Sequence, residues 1–229
     1  MNIVILTGAG ISAESGVPVF RGDDGLWEGH RVEDVATPEG FLRDPELVHQ
    51  FYNQRRAKLL TVEPNPAHVA LGELAERLDG ELTLVTQNID DLHERGGSPE
   101  VLHMHGELRK SRCKGCGAVV PCDGELSRAS VCEACGGIDC LRPHVVWFGE
   151  MPFHLDEVGM ALQRADLFVS IGTSGRVYPA AGFVELARAA GVRTLELNLD
   201  ESAGSGAFDE SRRGPASRLV PEWVQEILG

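Results

Sequence analysis

The chain has 229 residues, 42% of them hydrophobic and 24% charged, an ordinary globular composition with room for one sizeable α/β domain and a small module. Its formal net charge of −14, from 35 acidic and 21 basic side chains, argues against a general attraction to nucleic acid or an anionic membrane. The longest apolar runs, such as Val145–Phe148, fall far short of the ~20 residues needed to cross a bilayer.

No basic segment followed by an apolar one precedes the first glycine motif, so a cytoplasmic chain, whole or nearly so at its N-terminus, is expected. Asn2–Leu6 reads as a buried strand running into the glycine turn Thr7-Gly8-Ala9-Gly10, with a helix starting in Ile11–Gly16. Gly22–Pro38 is rich in Gly, Asp and Glu and reads as a mobile loop; Thr37-Pro38-Glu39 then opens a helical pattern reaching Leu60. Asn65-Pro66 offers an N-cap and a proline at N1 for an amphipathic helix carrying Val69, Leu71, Leu74, Ala75 and Leu78. Leu82–Thr86, Leu167–Ile171 and Arg193–Leu199 are strand-like, and Pro221–Leu228 predicts a terminal helix with Trp223, Val224, Ile227 and Leu228 on its apolar side. Strands alternating with helices imply an α/β fold with a doubly wound parallel sheet of Rossmann type. The stretch 109–141 breaks that rhythm and predicts an inserted metal-bearing module, leaving 1–108 and 142–229 as the main domain, with a helical and loop insertion at about 22–62.

All six cysteines lie between Cys113 and Cys140. Cys113-x-x-Cys116 and Cys132-x-x-Cys135, separated by 15 residues, are knuckles that can wrap four thiolates tetrahedrally around one Zn²⁺. A closed four-thiolate shell leaves no open position, so such a metal is structural. Cys122 and Cys140 are additional, and an exchange of Cys140 for Cys135 stays open.

Gly8-Ala9-Gly10-Ile11-Ser12-Ala13 after a strand fits the pattern in which glycines bring backbone N–H groups close to a pyrophosphate at a helix N-terminus. A tight turn without ligand, or a hydride-transferring dehydrogenase, would also satisfy that segment alone. The longer phrase is more specific. Gly8 to Arg21 (GAGISAESGVPVFR), Thr86 to His93 (TQNIDDLH), His105-Gly106-Glu107-Leu108, Arg142 to Glu150 (RPHVVWFGE), Gly172-Thr173-Ser174-Gly175 and Asn198-Leu199 follow in an order that strongly resembles the sirtuins, over nearly the whole chain.

The resemblance implies an enzyme that consumes NAD as a co-substrate to remove acyl groups from protein lysines. The lysine amide oxygen captures C1′ of the ribose as nicotinamide leaves. A base then activates the 2′-hydroxyl for attack on the imidate carbon, water completes the reaction, and the products are free lysine, nicotinamide and 2′-O-acyl-ADP-ribose. A base titrating near neutrality is naturally a histidine, and by resemblance it is His105. His68 and His103 read as structural.

By the same resemblance, Gly8, Ala9, Gly10, Ser12, Ala13, Glu14, Phe20, Arg21 and Trp27 belong to the NAD site. Phe20 covers the ribose and Arg21 positions the phosphates. Gln87 touches the ribose; Asn88, Ile89 and Asp90 surround the nicotinamide, Asp90 accepting its carboxamide N–H. Asn88 and Asp90 join His105 as catalytic residues. Gly172, Thr173 and Ser174 form the second phosphate-and-ribose loop, Asn198, Leu199 and Asp200 the adenosine-ribose contact, and Ala216 the adenine edge. The acylated peptide enters as an extended strand between Val146, Phe148, Gly149 and Glu150 on one side and Gly175-Arg176-Val177-Tyr178 on the other.

Tyr52 and Arg55 are three apart and share a face of the predicted helix. A phenol beside a guanidinium can bind a carboxylate. This resembles the Tyr-x-x-Arg pair of sirtuins acting on succinyl, malonyl and glutaryl lysine, with Ala36 as the small residue that widens their acyl pocket. Acetyl-lysine is expected as a further substrate. An ADP-ribosyltransferase, a deacetylase without acidic-acyl activity, and a non-catalytic NAD-sensing protein are the competing readings. A monomer is expected, since every proposed site residue comes from one chain.

Overall fold

The computed structural model describes residues 1–18 and 26–229; the expected contacts of Phe20 and Arg21 lie outside the described residues. The strands are β1 (Ile3–Thr7), β2 (Leu26–Trp27), β3 (His30–Arg31), β4 (Leu82–Thr86), β5 (Leu102–His103), β6 (Gly106–Cys113), β7 (Val119–Pro121), β8 (Leu141–Val145), β9 (Leu167–Ile171), β10 (Arg193–Asn198) and β11 (Glu210–Arg213). The helices are α1 (Ala9–Ser12), α2 (Val32–Val35), α3 (Pro38–Arg43), α4 (Pro45–Leu59), α5 (Pro66–Arg77), α6 (Leu92–Arg95), α7 (Leu155–Arg164), α8 (Phe183–Ala189) and α9 (Ala216–Leu228).

Six strands form a parallel sheet in the order β11-β10-β9-β1-β4-β5. Successive side chains of β1 point to opposite faces, so one strand serves two cores. Ile3 and Ile5 pack with Leu71 and Leu74 of α5 and with Trp223 and Val224 of α9. Val4 and Leu6 pack with Val158 and Leu162 of α7 and with Phe183 and Val184 of α8. Burial on both faces explains why these strands read as continuous apolar runs. The crevice opens where β1 lies between β4 and β9, at the carboxyl ends of the strands, the usual ligand position in such sheets.

The helical pattern expected from Pro38 to Leu60 is two helices. Asp44 accepts from the Leu47 N–H and Pro45 occupies the first position of α4, so the chain ends one helix and caps the next. The Gly22–Pro38 stretch, read as a loop, contains the β2–β3 hairpin and α2 among its described residues. The start at Asn65 is as expected: its side chain accepts from the backbone of α5, while the His68 ring accepts from the Asn65 N–H. That places His68 inward and leaves Val69, expected on the apolar side, 55% exposed. The terminal helix begins at Ala216, before Pro221, which lies inside it.

A third core joins Val35, Phe41, Val48, Phe51, Tyr52 and Leu59 to Leu108, Val145 and Trp147, fastening α2–α4 to β6 and β8. Strands β7-β6-β8 form a small antiparallel sheet whose far end carries the cysteines. No described helix is long and apolar enough to cross a membrane.

Candidate active site and metal centre

The loops leaving β1 and β9 meet at glycine. A Cβ on Gly10 would lie 2.7 Å from the Gly172 backbone, and one on Gly172, at φ +62°, would lie 2.5 Å from the Ile11 nitrogen. The Gly10 N–H donates to the Gly172 carbonyl at 2.9 Å. Only glycine allows the two turns to approach this closely. Asn198 at the end of β10 donates to the Thr173 carbonyl at 2.7 Å, and Thr173 and Ser170 share a hydrogen bond, so the second loop is fixed from below.

These turns border a cavity of ≈ 530 Å³. Of the residues expected at the NAD site, Gly8, Ala9, Trp27, Gln87, Asn88, Ile89, Asp90, His105, Gly172, Thr173 and Ser174 line it. Of those expected to meet the acylated peptide, Ala36, Tyr52, Arg55, Val146, Phe148, Gly149, Glu150 and Val177 line it too. Gly10, Ser12, Ala13, Glu14, Asn198, Leu199, Asp200 and Ala216 do not line it. Ser12 is buried and accepts from the Asn88 amide at 3.1 Å; the same amide donates to the Gly8 carbonyl, fixing Asn88 against the first glycine turn. Glu14 accepts from the backbone and hydroxyl of Ser217, tying the glycine segment to the start of α9 beside Ala216.

His105 follows β5 and faces the cavity. Its Nδ1 lies 2.9 Å from the Gln87 carbonyl. A carbonyl only accepts, so Nδ1 carries the proton and Nε2 keeps its lone pair. Burial, against this hydrogen bond, holds the imidazole pKa below its ordinary value, which leaves it neutral and basic at pH 7. Asp90 is buried, and burial pushes its carboxyl up to about 6 despite donation from the Leu92 N–H and a hydrogen bond with Ser12. His103 lies between Glu94 and the Asn88 carbonyl, His68 pairs with Asn65 and Ser12, and neither lines the cavity.

Tyr52, also lining the cavity, is 1% exposed and its oxygen accepts from the Trp147 indole at 3.0 Å, so its own O–H remains free to donate into the cavity. Arg55 stacks over Phe51, near Trp27, and gives one N–H to the Phe51 carbonyl at 2.8 Å. Tyr52 and Arg55, expected to share a substrate carboxylate, both line the cavity, and the guanidinium is in an ion pair with Glu28 from the β2–β3 turn. Sequence reasoning missed Glu28, because a glutamate in a polar loop carries no spacing signal toward a distant helix. The Phe148 N–H donates to the Ala36 carbonyl at 2.9 Å and Glu150 is held by Arg142, so these two groups of the expected peptide edge are already engaged.

In the small sheet, one sulfur from each of Cys113, Cys116, Cys132 and Cys135 lies within 4.8 Å of all the others. The Cys113–Cys135 and Cys116–Cys132 pairs are both 3.8 Å apart, the edge of a tetrahedron with Zn–S distances of about 2.3 Å. The four residues fit a structural Zn²⁺. Cys140 lies outside this set although its sulfur is 3.5 Å from that of Cys113, so the exchange with Cys135 is not needed. Cys122 is separate, its sulfur near the Gly124 carbonyl.

The Sir2 family model matches residues 8–179. An NAD-dependent protein deacylase of Vibrio vulnificus is 59% identical over 229 residues, covering 99% of this chain and 94% of that protein. A Sir2 homologue solved in complex with NAD superposes with a TM-score of 0.89 at 43% identity, covering 98% of this chain and 88% of the other. A mutant Sir2 homologue solved with 2′-O-acetyl-ADP-ribose gives a TM-score of 0.88 at 42% identity, covering 98% and 91%. Glycine turns meeting at the sheet's switch point, a half-buried histidine facing the cavity and a four-cysteine module all occur in one chain, and the chain belongs to the Sir2 family.

Proposed function

We propose that this chain is an NAD-dependent protein lysine deacylase that accepts succinyl, malonyl and glutaryl groups as well as acetyl. The observation that carries the reading is that one cavity is lined both by His105, Asn88 and Asp90 and by Ala36, Tyr52 and Arg55. NAD is a consumed co-substrate here; its phosphates would lie on the Gly8–Gly10 and Gly172–Ser174 turns, where helix α1 begins.

His105 takes the proton of the ribose 2′-hydroxyl through Nε2, with Nδ1–H anchored on Gln87. Asn88 is held by Gly8 and Ser12, so its orientation is set before nicotinamide arrives. Asp90 accepts from the nicotinamide carboxamide, a contact that favours its charged form and offsets part of the burial cost. Neutral Tyr52, kept protonated by burial, donates to an acyl carboxylate while Arg55 supplies the counter-charge. The four cysteines, Cys113 and Cys132 buried and Cys116 and Cys135 exposed, would hold a structural Zn²⁺ that braces the small sheet, with no open position for chemistry. The protein acts on acylated lysine side chains of other proteins, and works as a monomer because one chain supplies every group.

The test is an NAD-dependent assay on one peptide carrying succinyl-lysine or acetyl-lysine, with products followed by mass spectrometry, for the wild type and Arg55→Met. The expected products are nicotinamide and 2′-O-acyl-ADP-ribose from both peptides. Arg55→Met should cost about tenfold or more on succinyl-lysine, the worth of one charged hydrogen bond, and less on acetyl-lysine. Equal loss on both peptides would overturn the acidic-acyl reading. Protein-linked ADP-ribose as the main product would overturn deacylation.

A further inference from the structure

The guanidinium that the acidic-acyl reading assigns to the substrate already holds a carboxylate of the protein itself. Glu28 pairs with Arg55, whose side chain is 11% exposed while that of Glu28 is 35% exposed. Both line the cavity, with Tyr52 and Ala36 beside them. Neither Nε nor Nη2 of Arg55 makes a well-formed hydrogen bond among the described residues, Nη2 meeting Glu28 only as an ion pair, so part of the fork is left unused.

Glu28 stands on an unusual backbone. It and Gly29 form the two-residue connection between Trp27 and His30, and both have positive φ, +47° and +81°. Two-residue hairpin turns with left-handed central residues select Asn-Gly or Asp-Gly, and a glutamate there carries a local cost that asparagine would not. A residue chosen for the turn alone would not be glutamate. The side chain's contact, with Arg55, lies on the cavity side.

A buried cation lining an acyl pocket is costly when the acyl group is neutral, because substrate expels water without offering a counter-charge. A carboxylate on a short turn removes that cost and can leave toward solvent. We propose that Glu28 is a specificity-determining counter-carboxylate, holding Arg55 when the bound acyl group is neutral and ceding that place to the terminal carboxylate of an acidic acyl group. The inference rests on the acidic-acyl reading of Arg55 and explains how one pocket serves both classes. Burial pulls the Arg55 pKa down to about 10 even with Glu28 beside it, in keeping with a cation that needs a partner there.

The two substrate classes should respond to loss of Glu28 in opposite directions. An acidic acyl group no longer competes with Glu28, so its KM falls. A neutral one now buries an unpaired guanidinium, so its KM rises. A partly exposed ion pair sets the scale at about fivefold or less in each direction. The variants are Glu28→Gln, which is isosteric, and Glu28→Asn, which removes the charge while giving the turn its preferred Asn-Gly pair. Each is assayed on succinyl-lysine and acetyl-lysine peptides, with and without Arg55→Met. Opposite KM shifts in both variants, abolished in the Arg55→Met background, are expected. Shifts in the same direction, or none, while Arg55→Met still selectively impairs succinyl-lysine would overturn the role of Glu28 and leave the acidic-acyl reading standing. Equal impairment of both peptides by Arg55→Met would overturn the two together.

Discussion

Replacing Asp90 with asparagine should stabilise the fold while ending activity. Asp90 is 5% exposed, and burial lifts its carboxyl from 3.8 to about 6. Because the folded pKa lies above the unfolded one, the unfolded chain gives up this proton first. The folded state therefore loses stability as pH rises from about 4, and the full cost is present only above about 6. A rise from 3.8 to about 6 corresponds to about 3 kcal/mol at neutral pH. Asparagine must also bury a polar group, but its Oδ1 can keep the Leu92 N–H, and roughly 1–2 kcal/mol of the gain should survive. That is about 3–6 °C in Tm for a chain of this size. Scanning calorimetry of wild type and Asp90→Asn at pH 8 and pH 5 measures it. The variant should melt higher at pH 8, the gap should narrow at pH 5, and deacylation should be lost at both. A gap independent of pH, or a variant that melts lower at pH 8, would refute the assignment of a buried carboxylate cost to Asp90.

Two other outcomes follow from the site. His105→Ala should reduce deacylation by at least about 100-fold, the typical worth of a positioned base, with NAD affinity by calorimetry changed little; substantial remaining turnover would remove His105 from the mechanism. The purified protein should contain one zinc per chain by atomic spectrometry, and Cys132→Ser should abolish zinc retention and lower Tm by more than about 10 °C, since structural zinc supplies on the order of 10 kcal/mol of folding free energy. Cys122→Ser should change neither.

Features that repeat at the period of a single element were legible in the sequence. Strand β1 showed as an apolar run because both of its faces are covered, and the cysteine knuckles showed because each contributes two ligands from one tight turn. Asn65-Pro66 and Thr37-Pro38 marked helix starts through local capping, and the glycines marked turns that tolerate no side chain. What the tertiary structure decided are contacts between residues distant in the chain. Periodicity placed Tyr52 and Arg55 on one helix face, but only the fold brought Glu28 of a hairpin from another segment against the guanidinium. Resemblance placed Asp90 at the nicotinamide, but only packing revealed that water is excluded from its carboxyl. His68 turned inward and Val69 outward because an N-cap bond to Asn65 outweighed the apolar face of the helix. Local pattern records which residues can share a face; only the fold sets which charges lose their water together, and that loss sets the pKa of Asp90 and makes a partner for Arg55 necessary.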